Sequence, residues 1–187
     1  MVATSAPFGF RPVYHPSGAI RQETLNSGIL STYGTAIYTG TPVKFDTNGT
    51  IIPCTSATSE SLIGVFQGCE FSSAGKFFVL PYWPASQAYD ADGTMQAYYT
   101  SDPNIIYEVQ SAGSVAAADV GESVGIQQSS TGSTFTGYST QTCTTGQGAS
   151  SGEPFQIVNI AGYPGNTAGD SFTIVRVKIQ SYQGSVA

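Results

Sequence analysis

The string "GESVG", residues 121–125, is the sharpest enzyme-like signal in the sequence. It fits G-x-S-x-G, the tight turn on which α/β-hydrolases hold a nucleophilic serine, here Ser123. That chemistry needs a strand before the serine, a helix after it, and a histidine later in the chain as the base. The single histidine is His15, far upstream, and the "IQQSSTGSTF" that follows does not favour a helix. The sequence therefore predicts no catalytic residue and no enzyme.

Residues that bind metal ions or cofactors are sparse. His15 has no second histidine and no cysteine near it in the sequence, as a zinc site would need. "YDADG" (89–93) begins like a calcium loop but lacks the third acidic ligand and the distal glutamate. The cysteines are odd in number and have no CxxC spacing, which favours buried free thiols; they are Cys54, Cys69 and Cys143. We therefore expect no metal site and no cofactor.

Charge is low throughout the chain. Twelve acidic residues against six Lys and Arg give a net charge of −6, and charged residues are only 10% of the sequence. Nucleic acids and anionic membranes are bound by clustered basic residues, and the nearest approach to a cluster is Arg176 with Lys178. These two partner classes are disfavoured. The first 30 residues resemble no secretion signal, so we expect synthesis in the cytoplasm. Solubility from uncharged polar residues is common in proteins that work packed against neighbours.

An aromatic, proline-rich arm opens the chain. "APFGFRPVYHPSG", residues 6–18, holds three prolines, which keep a segment extended and lower the entropy lost when it docks. We interpret the arm as an interface element lying on a neighbouring subunit or a larger surface; its candidate contact residues are Phe8, Phe10, Arg11, Tyr14 and His15. The alternative is that the arm folds back over its own domain.

A second aromatic group, Tyr82 and Trp83, lies in "LPYWPA". These rings are candidates for an interface or for a sugar-binding platform. Prolines on both sides also fit a strand end whose indole packs into the body of the protein, and we favour that interpretation.

The elements that must position these residues are strands. Roughly nine short segments rich in β-branched and aromatic residues alternate with turn signals, and only 114–121 favours a short helix. Three hairpins are predicted, around Asn48-Gly49 as a type I′ turn, around 72–75, and around Asp102-Pro103. Two further strands, 155–163 and 171–182, close the chain.

The predicted fold class is therefore all-β: a compact β-barrel or β-sandwich of short antiparallel strands, with an extended N-terminal arm and one short helix. Residues 1–18 form the arm and 19–187 a single β-rich domain. A Ser/Thr/Gly-rich loop near 130–154 has little to bury.

Several segments in order along the chain resemble a family of tailed-bacteriophage virion proteins, the capsid decoration or cement proteins. The resemblance is carried by "APFGFRPVYHPSG", "GVFQGCEF" leading to "KFFVLPYWPA", "DPNIIYEVQ", and "NTAGDSFTIVRVKIQSY". The strings "APFGFRP", "PYWPA" and "DPNI" are distinctive as a set.

The resemblance implies a function. Such proteins attach to the outside of the shell formed by the major capsid protein and stabilise it by bridging capsomers. It implies a place on the outer capsid surface of the virion and contacts with neighbouring copies, for which we expect a trimer rather than a dimer. The alternative is a glycan-binding β-sandwich on a phage head or tail fibre, presenting the rings of Tyr82, Trp83, Tyr98 and Tyr99.

Overall fold

The structure, a computed structural model, describes residues 4–54, 60–127, 131–146, 148 and 152–184. Thirteen strands are assigned within these ranges, more than the nine that the sequence indicates, because several contain only two to four residues. They are β1 Arg11–Tyr14, β2 Glu23–Asn26, β3 Ile37–Tyr38, β4 Pro42–Phe45, β5 Ile51–Pro53, β6 Gly64–Ser73, β7 Lys76–Leu80, β8 Tyr82–Trp83, β9 Gln96–Thr100, β10 Ile106–Gln110, β11 Ser123–Val124, β12 Phe155–Ile160 and β13 Ile174–Ile179.

These strands form antiparallel sheets, and the all-β class predicted from the sequence is confirmed. One sheet has the order β1-β10-β13-β12-β11 and a second has the order β2-β9-β6-β4-β5. β7 also pairs with β6, and β3 pairs with β8 in a small sheet. The predicted helix is a single 3₁₀ turn, Ala117–Asp119, and no helix in the described ranges is long and apolar enough to cross a bilayer.

The hairpin around Asn48-Gly49 forms as predicted, from β4 and β5, but its turn is not type I′. That turn needs a positive φ at both central residues, and of this pair only Gly49 has one, at +75°. The Asp46 carboxylate instead accepts hydrogen bonds from the backbone N–H groups of Asn48 and Thr50, each at 2.9 Å. The hydrogen bonds that this side chain accepts therefore stabilise a loop that is longer than a two-residue type I′ turn.

The predicted hairpin around 72–75 is also present, from β6 and β7. Its two central residues, Ala74 and Gly75, both have positive φ, at +52° and +72°. This is the backbone pattern of a two-residue type I′ turn. The tight turn that the sequence placed at Asn48-Gly49 is found here instead.

The predicted hairpin around Asp102-Pro103 is wrong. β9 before this turn pairs with β6 and β2, whereas β10 after it pairs with β1 and β13. The turn therefore carries the chain from one sheet to the other. The reason is burial: Tyr107 packs in the first hydrophobic cluster and Ala97 in the second.

Each large sheet supplies most of the strand residues of one hydrophobic cluster, although Val65 of β6 packs in the first. The first cluster draws on β10, β12 and β13 with Phe10, and the second draws on β4, β6 and β9 with Trp83. A buried hydrogen bond of 3.0 Å joins the hydroxyls of Thr100 and Tyr107 across the turn between the sheets. The two predicted closing strands are present as β12 and β13, and they pair with each other.

The arm folds back onto its own domain, which the sequence analysis kept as the alternative. β1 pairs antiparallel with β10 at the edge of the first sheet. Phe10 is fully buried and stacks on Phe155, with ring centroids 4.5 Å apart. Its N–H donates to the Gly40 carbonyl at 2.9 Å. The prediction that Phe10 is an anchor for a partner is therefore wrong, because this side chain is part of the core.

Candidate functional site: the surface around the arm

Glu108 on β10 holds the arm in place. Its carboxylate is almost completely buried, with the side chain 1% exposed. Arg11 Nη2 donates to Oε2 at 2.8 Å, and the Tyr163 hydroxyl donates to the same oxygen at 2.7 Å. Arg176 Nε donates to Oε1 at 3.1 Å. Three segments far apart in sequence thus meet at one buried carboxylate, which we call the Glu108 clamp.

The clamp keeps its carboxylate ionised. Burial raises the pKa of Glu108, but the hydrogen bonds from Tyr163, Arg11 and Arg176 outweigh it and leave this pKa below its usual value. The same contact raises the pKa of Tyr163, because its hydroxyl donates to an anion. Arg11, predicted to bind a carboxylate of a partner, binds one in its own chain.

His15 ties the end of the arm to the turn between the sheets. Its Nε2 lies 3.0 Å from Asp102 Oδ2, and its Nδ1 lies 2.6 Å from the hydroxyl of Ser17. Hydrogen bonds from Asn104 and the nearby His15 lower the pKa of Asp102. Ser123, the motif serine, is buried and its hydroxyl donates to Gln180 Oε1 at 3.2 Å. Serine and histidine bond to different partners, so the structure does not join them in a catalytic pair.

A shallow groove lies beside the arm, with a cavity volume of about 550 Å³. Its lining includes Phe8, Arg11, Pro12, Gln67, Pro81 and Tyr138, and we call it the arm groove. The Arg11 guanidinium lies over the Phe8 ring, 5.0 Å from its centroid, which is the distance of a cation–π contact. Tyr138 reaches the groove because its backbone forms a bridge with Thr39. The wall opposite the arm therefore comes from the Ser/Thr/Gly-rich loop.

Three aromatic side chains of this region stand in solvent. Phe135, in a turn of the same loop, is 98% exposed, and Tyr138 and Tyr14 are more than half exposed. Tyr14 was predicted as a contact residue and is free to make a contact. The other two were missed, since the tract was interpreted as having little to bury. The sequence feature that could have indicated them is the presence of aromatic residues within a run of Ser, Thr and Gly.

Trp83 is completely buried, which confirms the favoured interpretation of an indole packed into the protein and excludes this ring as an interface or sugar-binding platform. Its ring packs edge-on against Phe71, with centroids 5.3 Å apart, and its Nε1–H donates to the Tyr33 carbonyl at 3.5 Å. Tyr82 stacks on Tyr38 at 5.7 Å. The prolines on either side mark the end of a strand, and the Trp83 indole is part of the hydrophobic core.

The buried free thiols predicted from the sequence are confirmed. Cys54, Cys69 and Cys143 are all buried and unpaired with one another. Burial raises the pKa of Cys69 and of Cys143 to about 12, and it raises that of Cys54 as well. Within the part of the chain that the structure describes, no three His, Cys, Asp or Glu side chains gather where they could hold a metal ion.

Comparison with protein-family models, with curated proteins and with solved structures gives no match for this chain.

Proposed function

We propose that this protein is a virion structural protein of a tailed bacteriophage, binding the outside of the major capsid protein shell and bridging capsomers. The observation that carries the proposal is the exposure of three large aromatic side chains on the arm and on the Ser/Thr/Gly-rich loop, Tyr14, Phe135 and Tyr138, in a chain with few charges. Large apolar side chains left in solvent are a common feature of protein interaction sites, and Tyr138 lines the arm groove. The resemblance of the sequence to capsid decoration proteins names the partner.

The clamp suggests how such a surface works. Glu108 fixes Arg11, and Phe10 anchors the arm in the core, so the groove is formed before any partner arrives. A preformed surface loses less conformational entropy on binding than an arm that orders when it docks. A ligand that binds only the assembled shell stabilises that shell by mass action, and many copies act together.

The first experiment measures the copy number of this chain relative to the major capsid protein in purified virions, by quantitative mass spectrometry. A simple ratio with hundreds of copies is expected for a protein that covers the shell lattice. A handful of copies would place the chain at the neck or tail, and its absence from virions would refute the proposal.

The second experiment adds purified protein to shells that lack it and measures occupancy. Phe135→Ser and Tyr14→Ser are expected to lower occupancy, because each removes an exposed aromatic contact without touching the core. Val158→Ser, at an exposed apolar position on β12, is the matched control and should bind normally. Equal binding by all three variants would show that Phe135 and Tyr14 do not belong to the docking surface.

A further inference from the structure

β7 is an apolar strand with a free edge. Phe77, Phe78 and Val79 are 59%, 37% and 66% exposed, so both faces of the strand are in contact with solvent. Among the described strands, β7 pairs with β6 alone. Native proteins normally protect such an edge with charges, prolines or a covering segment, since it is a template for another strand. Here the sole charged residue of the strand is Lys76, next to the turn.

The register fixes which backbone groups of β7 are free. The Ala74-Gly75 turn places Ser73 opposite Lys76, where the two residues exchange hydrogen bonds, so the next pair, Ser72 with Phe77, does not. Ser72 confirms this, because its own N–H donates to Thr94 Oγ1 at 3.0 Å and its carbonyl accepts from the Asp90 N–H at 2.8 Å.

The same alternation applies two residues further along the strand. Glu70 lies opposite Val79 and is also paired with Gln96 of β9, so it occupies the same kind of position as Ser72. The N–H and C=O groups of Phe77 and Val79 therefore point away from β6. This places two donors and two acceptors in a row along an exposed apolar edge.

We propose that the β7 edge binds the β7 edge of a second copy of this chain, antiparallel, across a twofold axis at Phe78. In this register Phe77 of each copy lies opposite Val79 of the other, and each such pair exchanges two backbone hydrogen bonds. All four free groups of each edge are satisfied. The second sheets of the two copies become one continuous sheet.

The side chains of β7 also fit a second copy. Phe77 and Val79 lie on one face of the strand, so each apolar side chain meets an apolar side chain across the junction. Lys76 lies opposite Leu80 of the second copy, so like charges do not face each other. A twofold contact uses the same surface on both copies, and this one closes as a dimer rather than as the trimer that we expected from the sequence. The proposal does not depend on capsid binding.

The test is sedimentation velocity of the full chain over a wide concentration range. A monomer–dimer equilibrium is expected. Val79→Lys puts a charge opposite Phe77 at both junctions of the dimer and should weaken dimerisation roughly tenfold. Val79→Thr keeps a β-branched residue and should dimerise like the parent chain. Val158→Lys is the control on another strand and should also leave the dimer intact.

Amide hydrogen exchange gives a second readout that does not depend on the variants. The amides of Phe77 and Val79 should exchange rapidly in dilute protein and become protected as the dimer forms. A chain that stays monomeric, forms trimers, or dimerises with both amides unprotected overturns the proposal. So does a dimer whose affinity is unchanged by Val79→Lys.

Discussion

The buried Glu108 carboxylate is expected to contribute to the stability of the fold. Replacing it with Gln removes the charge that Arg11 and Arg176 share and turns one acceptor into a donor facing them. We expect Glu108→Gln to lower the free energy of unfolding by about 1–3 kcal/mol, measured by urea denaturation. Glu23→Gln, at an exposed glutamate on β2, is the control and should change stability by less than about 0.5 kcal/mol. A Glu108→Gln variant as stable as the parent would contradict the clamp.

The clamp also predicts a pH dependence. The folded-state pKa of Glu108 lies below its usual value, so its contribution is complete above the unfolded-state pKa of about 4.3. It is lost as the pH falls through the lower folded-state value. The stability difference between the parent chain and Glu108→Gln should therefore be constant near neutrality and shrink below about pH 4.3. Denaturation curves at a series of pH values measure this, and a constant difference in acid would contradict it.

The three buried cysteines should resist modification in the folded protein. Burial limits access to their sulfur atoms and raises the pKa of each thiol, so little reactive thiolate is present. A thiol-reactive dye should label all three only as the protein unfolds. Ala168→Cys, at an exposed position, provides a fast-reacting control. Rapid labelling of any native cysteine without unfolding would contradict the burial found here.

At the scale of the element, the β6–β7 turn carries a local cost. Ala74 has a φ of +52°, a conformation that residues with a Cβ adopt only at a free-energy cost, and asparagine tolerates it better. Ala74→Asn should therefore raise the free energy of unfolding by about 0.5–1 kcal/mol. Ala168→Asn, at an exposed alanine without a positive φ, should give no gain. Thermal and urea unfolding measure both variants, and a less stable Ala74→Asn would refute the argument.

Strand pairing depends both on local turn residues and on contacts between residues far apart in the sequence. The turn residues at 46–50 and at 74–75 correctly predict hairpins, because the two strands on either side of each turn pair with each other in the second sheet. Asp102-Pro103 gives an equally good turn signal, yet its flanking strands join different sheets. The turn fixes the change of direction, and burial decides which partner each strand takes.

At the scale of the whole molecule, the arm is part of the fold. Phe10→Ala should lower the free energy of unfolding by about 3–5 kcal/mol, because it leaves a cavity beside Phe155. Phe8→Ala, half-buried and in contact with the Arg11 guanidinium, should cost about 1 kcal/mol. Denaturant unfolding compares the two. Equal losses would contradict the burial of Phe10.

Because the arm is part of the fold, deleting it is a poor test of capsid binding. Deleting residues 1–17 removes β1, Phe10, Arg11 and His15 together, so lost occupancy would not separate docking from unfolding. Surface substitutions such as Phe135→Ser keep the core and the clamp intact. They are the sharper probe of the proposed interface.

The sequence by itself determined the β class, the hairpins at 42–53 and 64–80, the two closing strands and the buried thiols. Each of these depends on residue types and spacings within a few turns of the chain. Tertiary structure alone decided that the arm folds back, that β9 and β10 separate, and that Arg11, Tyr163 and Arg176 meet at Glu108. The contacts at Glu108, for example, join residues 55 to 97 positions apart. These outcomes depend on competition for buried surface over the whole chain, which local patterns do not encode.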